Sequence, residues 1–182
     1  MNNDLRLRAA ITLLVPLTGC DFAQPPQTQE QIQAEIAKLP RDRPGLWSVH
    51  EDIATFSAGG APAAVAASMQ KEMETQGRLG WARCITPQMA STSRYKALRS
   101  IGDESSSCTI TAFHSDGQIF DAAQQCSYPN GLSGTVEFEG SAVGKVQQMK
   151  YNVAMASPEG EGPSLSYSGI RTIERTGDCT GP

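Results

Sequence analysis

The sequence has few of the residues and motifs from which enzyme active sites are usually built. It contains two histidines, His50 and His114, and it lacks a GxSxG nucleophile elbow, a phosphate-binding glycine loop and a dinucleotide fingerprint. His50 shares one face of a predicted strand with Asp52, which indicates a surface hydrogen bond more readily than half of a catalytic triad. His114 borders an Asp-Gly turn, where exposed polar residues are ordinary. We therefore expect no catalytic residue and no cofactor, and a hydrolase with an unrecognised site is the alternative.

Positive charge is also scarce. Lys and Arg number 15 against 19 Asp and Glu, the formal net charge is −4, and no basic stripe is present. Nucleic acid is therefore not expected as a partner. Glu137 and Glu139 lie on one face of a predicted strand, as the two carboxylates of a glycosidase could. Because that face alternates with an apolar one, we interpret it as a solvated acidic surface.

Long apolar runs are missing except at the N-terminus. Residues 9–17 form an apolar stretch that follows two arginines and is too short for a permanent transmembrane helix. Leu17–Cys20 then gives the lipobox pattern of a branched apolar residue, two small residues and a cysteine. We expect residues 1–19 to be a lipoprotein signal peptide and Cys20 to be fatty-acylated, which would hold the chain to the periplasmic face of a cell membrane. Asp21, directly after that cysteine, favours the inner membrane over the outer membrane.

Residues 20–43 predict a polar tether that contains one short helix. Thr28 begins a capping box, and three apolar residues recur on one face of the helix that follows it: Ile32, Ile36 and Leu39. We expect this stripe to dock on the domain or to touch the membrane, and the two acidic residues of the helix make membrane insertion the weaker alternative.

No Cys-x-x-Cys pair is present and the cysteines are widely spaced, which argues against a zinc site. The chain has five cysteines, so acylation of Cys20 leaves an even number, which predicts two disulfides in an oxidising compartment. An Asp-Gly hairpin separates Cys108 from Cys126. A three-residue loop would place these two cysteines on one face, whereas a two-residue loop would place them on opposite faces. We favour Cys108–Cys126 and Cys84–Cys179, with the second bond fastening the C-terminus.

Residues 44–182 predict a single disulfide-bonded, β-rich domain. Alternation of apolar and polar residues predicts strands near residues 47–53, 81–85, 108–114, 118–126, 135–139, 145–156 and 165–175. A helix that carries Val65, Met69 and Met73 is predicted after Pro62. Because short turns join most strands, the expected fold class is mainly β (α+β): an antiparallel meander sheet or a small barrel with one covering helix, preceded by the short tether helix.

The strand at residues 145–156 shows the clearest alternation in the sequence. Met149, Tyr151, Val153 and Met155 face one way, and polar residues face the other. A closed core explains this stripe most simply. The alternative is a cavity that holds an apolar ligand, because methionine suits adaptable apolar sites.

Short motifs in this region resemble those of a known family. They are PGLW at Pro44–Trp47, CITP at Cys84–Pro87, the mid-chain cysteine pair, and GDC at Gly177–Cys179. In this order they resemble a periplasmic family of Gram-negative bacteria known only as a domain of unknown function. The resemblance implies secretion or lipoprotein anchoring, and it implies no activity and no catalytic residue.

Together these observations predict a membrane-anchored periplasmic lipoprotein that acts as a non-catalytic interaction module of the cell envelope. The expected partners are the membrane, through the lipid, and another envelope protein that meets the acidic surface. A carrier of an apolar ligand in a curled sheet is the alternative.

Overall fold

A computed structural model describes residues 27–92, 107–129, 131–157 and 164–179. The predicted signal peptide, Cys20 and Asp21 lie outside the described residues. The described helices are α1 (Gln29–Lys38), α2 (Ala63–Leu79) and α3 (Pro87–Thr92). The strands are β1 (Gly45–Gly59), β2 (Trp81–Ile85), β3 (Ser107–Ser115), β4 (Ile119–Ser127), β5 (Ser133–Ser141), β6 (Val146–Ala156) and β7 (Ser164–Gly177). Within the described residues, no helix is long and apolar enough to cross a membrane.

All seven strands belong to one antiparallel sheet in the order β2-β1-β7-β6-β5-β4-β3. Strands β3 to β7 form the predicted meander. β1 then pairs with β7, so the first and last strands are neighbours, and β2 and β3 lie at opposite edges of the sheet. The sheet is open. The predicted antiparallel sheet is thus confirmed, and the barrel alternative is wrong.

The apolar face of the sheet is covered by α1. The helix begins as predicted, with the capping box of Thr28 and Gln31, and Leu39 caps it just before Pro40. Ile32, Ile36 and Leu39 are 1%, 4% and 4% exposed, and they pack in one core cluster with residues of β3 to β6. The stripe therefore docks on the domain, which is one of the two positions that the sequence left open, and α1 is part of the core.

In the structure, the covering helix is α1 and not the methionine-bearing helix α2. It packs on β1, and its Val65 and Met69 are 48% and 38% exposed. A Cβ atom at Gly77 would lie 2.5 Å from the carbonyl oxygen of Glu51, so the glycine lets the two backbones approach closely. β2 pairs only with the start of β1 up to Val49, and α2 packs beside the part of β1 that follows.

Two disulfides join the cysteine pairs that the sequence favoured. Cys108 and Cys126 are directly opposite each other in β3 and β4. The favoured pairing is present, but the three-residue loop does not produce it. Ser115 pairs with Phe120, and a register shift between Ile110 and Ala112 brings Cys108 opposite Cys126. Cys84 of β2 bonds to Cys179, which follows β7. Each bond is expected to stabilise the fold by about 2–4 kcal/mol.

Candidate functional site: a groove on the solvent face of the sheet

The sheet face opposite α1 carries a row of side chains that crosses five neighbouring strands. His114 of β3 is opposite Asp121 of β4, and Asp121 is opposite Glu139 of β5. Glu139 is opposite Lys150 of β6, and Lys150 is opposite Ile170 of β7. With strands about 4.8 Å apart, the row is about 19 Å long.

These five residues line a continuous groove, which we call the solvent groove. It consists of two adjoining volumes of about 620 and 660 Å³ that share His114, Asp121, Glu139, Lys150 and Ile170. Ile119 and Ile170 line it and are 60% and 39% exposed. The groove therefore presents apolar and charged surface side by side.

Carboxylates dominate the charge of the groove. The described residues that line it include five acidic side chains and one lysine: Glu35, Asp116, Asp121, Glu137, Glu139 and Lys150. Lys150 Nζ lies 3.0 Å from Glu139 Oε1, and both side chains are largely exposed. Such an exposed pair contributes only about 0–1 kcal/mol to stability and is screened by salt. The groove thus presents a surface that is negative overall.

Two of these carboxylates also hold the β3–β4 hairpin and its edge in place. Glu35 accepts from Lys38 and from the backbone N–H of Ser115, and both hydrogen bonds lower the pKa of its carboxyl group. Asp116 accepts from the backbone N–H groups of Ile119 and Gln118, which likewise lower its pKa. Both groups are therefore held in the charged form at neutral pH.

The groove does not assemble a nucleophile with its base from the side chains that the structure describes there. The Ser115 hydroxyl donates to the carbonyl of Ile119 and accepts from the N–H of Gly117, so it is engaged in the turn. The Nδ1 atom of His114 lies 3.3 Å from Nε2 of Gln27. Among the described residues, no three His, Cys, Asp or Glu side chains are grouped closely enough to hold a metal ion.

The structure separates the candidate residues of the sequence into two faces. Glu137 is exposed and lines the solvent groove together with Glu139. Met149, Tyr151, Val153 and Met155 are 2–7% exposed and lie in the core cluster with α1. In the structure at most 7% of the surface of each of these four residues is open to an apolar ligand.

His50 and Asp52 lie on the solvent face, as predicted, but outside the groove. Nδ1 of His50 is 3.3 Å from the carbonyl oxygen of Arg78 at the end of α2, and a Cβ atom at Gly80 would lie 2.6 Å from the same Nδ1. This histidine therefore belongs to the contact between β1 and α2.

Sequence analysis missed that His114, Asp121 and Lys150 share one row. The three residues come from different strands, and their alignment depends on the cross-strand register. Counting outward from the two turns does not give that register. Residues 116–118 as the loop would place His114 opposite Phe120, and residues 142–145 would place Glu139 opposite Gln148, so no local signal could have found the row.

A buried ion pair lies on the other face of the same sheet. Arg171 is 5% exposed at its side chain, and its Nε and Nη2 atoms both donate to Oε1 of Glu51. The hydroxyl of Tyr151 donates to Oε2 of Glu51 at 3.4 Å. Burial, and then the nearby Glu51 charge, raise the pKa of Tyr151. Burial also raises the pKa of the neighbouring Tyr167 to about 12, so both phenols stay neutral and the cluster supports the fold.

The fold and the groove define a class: a single open antiparallel sheet with an N-terminal covering helix and a negatively charged groove on its solvent face. The chain belongs to the family described as a protein of unknown function (DUF3617), whose match covers residues 42–179. Comparison with curated proteins and with solved structures found no match. The family match begins after α1, although α1 is part of the core of this chain.

Proposed function

We propose that this protein is a membrane-anchored periplasmic lipoprotein that acts as a non-catalytic interaction module, and that the solvent groove is its contact surface. The observation that carries the proposal is the groove itself, which crosses five strands of a disulfide-bonded sheet. A sheet with two disulfides holds such a surface in one shape, so little ordering is needed on binding.

The composition of the groove favours a protein partner. Exposed Ile119 and Ile170 lie beside charged side chains, and interfaces commonly combine an apolar centre with a polar rim. Because acidic groups outnumber basic ones in the groove, the partner is expected to present Lys or Arg side chains. Complementary charge mainly accelerates and orients association.

The proposed location rests on the N-terminal sequence. The lipobox at Leu17–Cys20 supports acylation of Cys20, and Asp21 supports the inner membrane. The two disulfides are typical of an oxidising compartment, which agrees with a periplasmic domain.

Site-specific photo-crosslinking in cells tests the proposed contact surface. A photoreactive residue would replace exposed Asn152, which lines the groove, or exposed Gln76 on α2 as a matched control. We expect a discrete crosslinked product from position 152 that weakens at high salt. Identical products from both positions, or none from position 152, would contradict the groove as the contact surface.

A further inference from the structure

The segment from Gln27 to Leu39 is bound to the sheet by more than its apolar stripe. Oε1 of Gln27 accepts from the N–H of Phe113 at 2.7 Å, and Nε2 of Gln29 donates to the carbonyl of Ile110 at 3.2 Å. Oε2 of Glu35 accepts from the N–H of Ser115 at 3.0 Å. These contacts satisfy backbone groups along the outer side of the edge strand β3, which would otherwise be exposed without a partner strand.

This docking shortens the connection between the domain and the proposed lipid. A tether of residues 20–43 could extend about 80 Å. In the structure, however, Gln27 already contacts β3, and it is only the seventh residue after Cys20. Seven residues reach at most about 25 Å even when fully extended.

The point where this short linker meets the domain lies at the wall of the solvent groove. Nε2 of Gln27 is 3.3 Å from Nδ1 of His114, and His114 lines both parts of the groove. Glu35 of α1 also lines it. The opposite edge of the seven-stranded sheet is about 29 Å away from β3. Tethering at Gln27 therefore places the groove, and not the α2 edge, close to the membrane.

From this geometry we infer that the partner of the groove is a protein embedded in the same membrane, bound through a cationic segment at the membrane surface. The inference rests on the proposed acylation of Cys20 and on the proposed role of the groove. It excludes a partner that is freely soluble in the periplasm. It also assigns α1 a second role, because the helix that closes the core sets the distance between groove and membrane.

Energy transfer tests the orientation without reference to any partner. A fluorescent residue would replace Glu30 on α1 or Glu72 on α2, which are both exposed glutamates. The acylated full chain would be bound to vesicles whose lipid headgroups carry the acceptor dye. We expect clearly stronger transfer from position 30 than from position 72, and none from either when Cys20→Ser prevents acylation. Equal transfer from the two positions would overturn the orientation.

Lengthening the linker tests the membrane-embedded partner. Twenty Gly and Ser residues inserted between Ala23 and Gln24 would retain Cys20 and Asp21, and the same insert after Pro182 serves as the control. Because effective concentration falls roughly as the −3/2 power of linker length, we expect the crosslink from position 152 to fall about eightfold with the first insert alone.

The two proposals fail in different ways. An absence of any crosslink from position 152 in the otherwise unmodified chain contradicts the proposed function, while the energy-transfer result still tests the orientation. A crosslink that persists at full yield with the longer linker, or that joins the chain to a protein recovered in the soluble fraction, overturns the membrane-embedded partner and leaves the groove as the contact surface.

Discussion

At the scale of single residues, the alternation of apolar and polar residues identified the buried apolar side chains. It did not identify the charged side chains that are buried. Met149 and Val153 lie in the core as their spacing indicates. Arg171 is buried as well, although charged residues are rarely buried unless they are paired. Its partner Glu51 is 120 positions earlier in the chain. Only the β1–β7 pairing brings the two together, and no local pattern reports that pairing.

The buried pair gives the first prediction at this scale. Arg171→Met should lower the free energy of unfolding by about 3–5 kcal/mol, because it leaves the carboxylate of Glu51 partly buried without its cation. Combining it with Glu51→Leu should recover much of that loss. Chemical unfolding of the chain from residue 27 onward measures both effects.

The exposed pair on the opposite face is the control for this prediction. Lys150→Met should change the unfolding free energy by at most about 1 kcal/mol, since its pair with Glu139 is exposed to solvent. An Arg171→Met variant that is no less stable than Lys150→Met would show that the buried pair does not support the fold.

At the scale of elements, local signals predicted the meander and both disulfides and gave docking of α1 as one of two alternatives, but they did not predict which helix covers the sheet. Strands β3 to β7 follow one another through short turns, so their order is visible in the sequence. Both α1 and α2 have apolar residues at helical spacing, and this pattern cannot say which helix covers the sheet. The close approach at Gly77 places α2 against β1, whereas the larger stripe of α1 fills the sheet face.

The role of α1 is tested by truncating one side chain of its stripe. Ile36→Ala should destabilise the chain by about 2–5 kcal/mol, because Ile36 is 4% exposed in the core cluster. Gln33→Ala, on the exposed side of the same helix, should change stability by less than about 0.5 kcal/mol. Equal unfolding free energies for the two variants would mean that α1 is a tether and not part of the core.

At the scale of the whole molecule, the two faces of one sheet have different tasks. The apolar face, closed by α1, supplies the core of the fold. The other face carries a groove whose carboxylates come from several strands, and its existence depends on register and twist that the sequence does not reveal. The domain boundary inferred from sequence, at residue 44, also places α1 outside the domain, because a short polar segment with a single stripe resembles a tether until its contacts are known.

The most direct measurement of the central claim compares charge reversal inside and outside the groove. The yield of the crosslink from position 152 would be measured in cells for Glu137→Lys, in the groove, and for Glu72→Lys, on exposed α2. Both substitutions change the net charge equally. We predict about a fivefold loss of yield for Glu137→Lys, the equivalent of ~1 kcal/mol, and no change for Glu72→Lys. An equal loss for both variants, or an unchanged yield for Glu137→Lys, would contradict the groove as the surface that recognises a cationic partner.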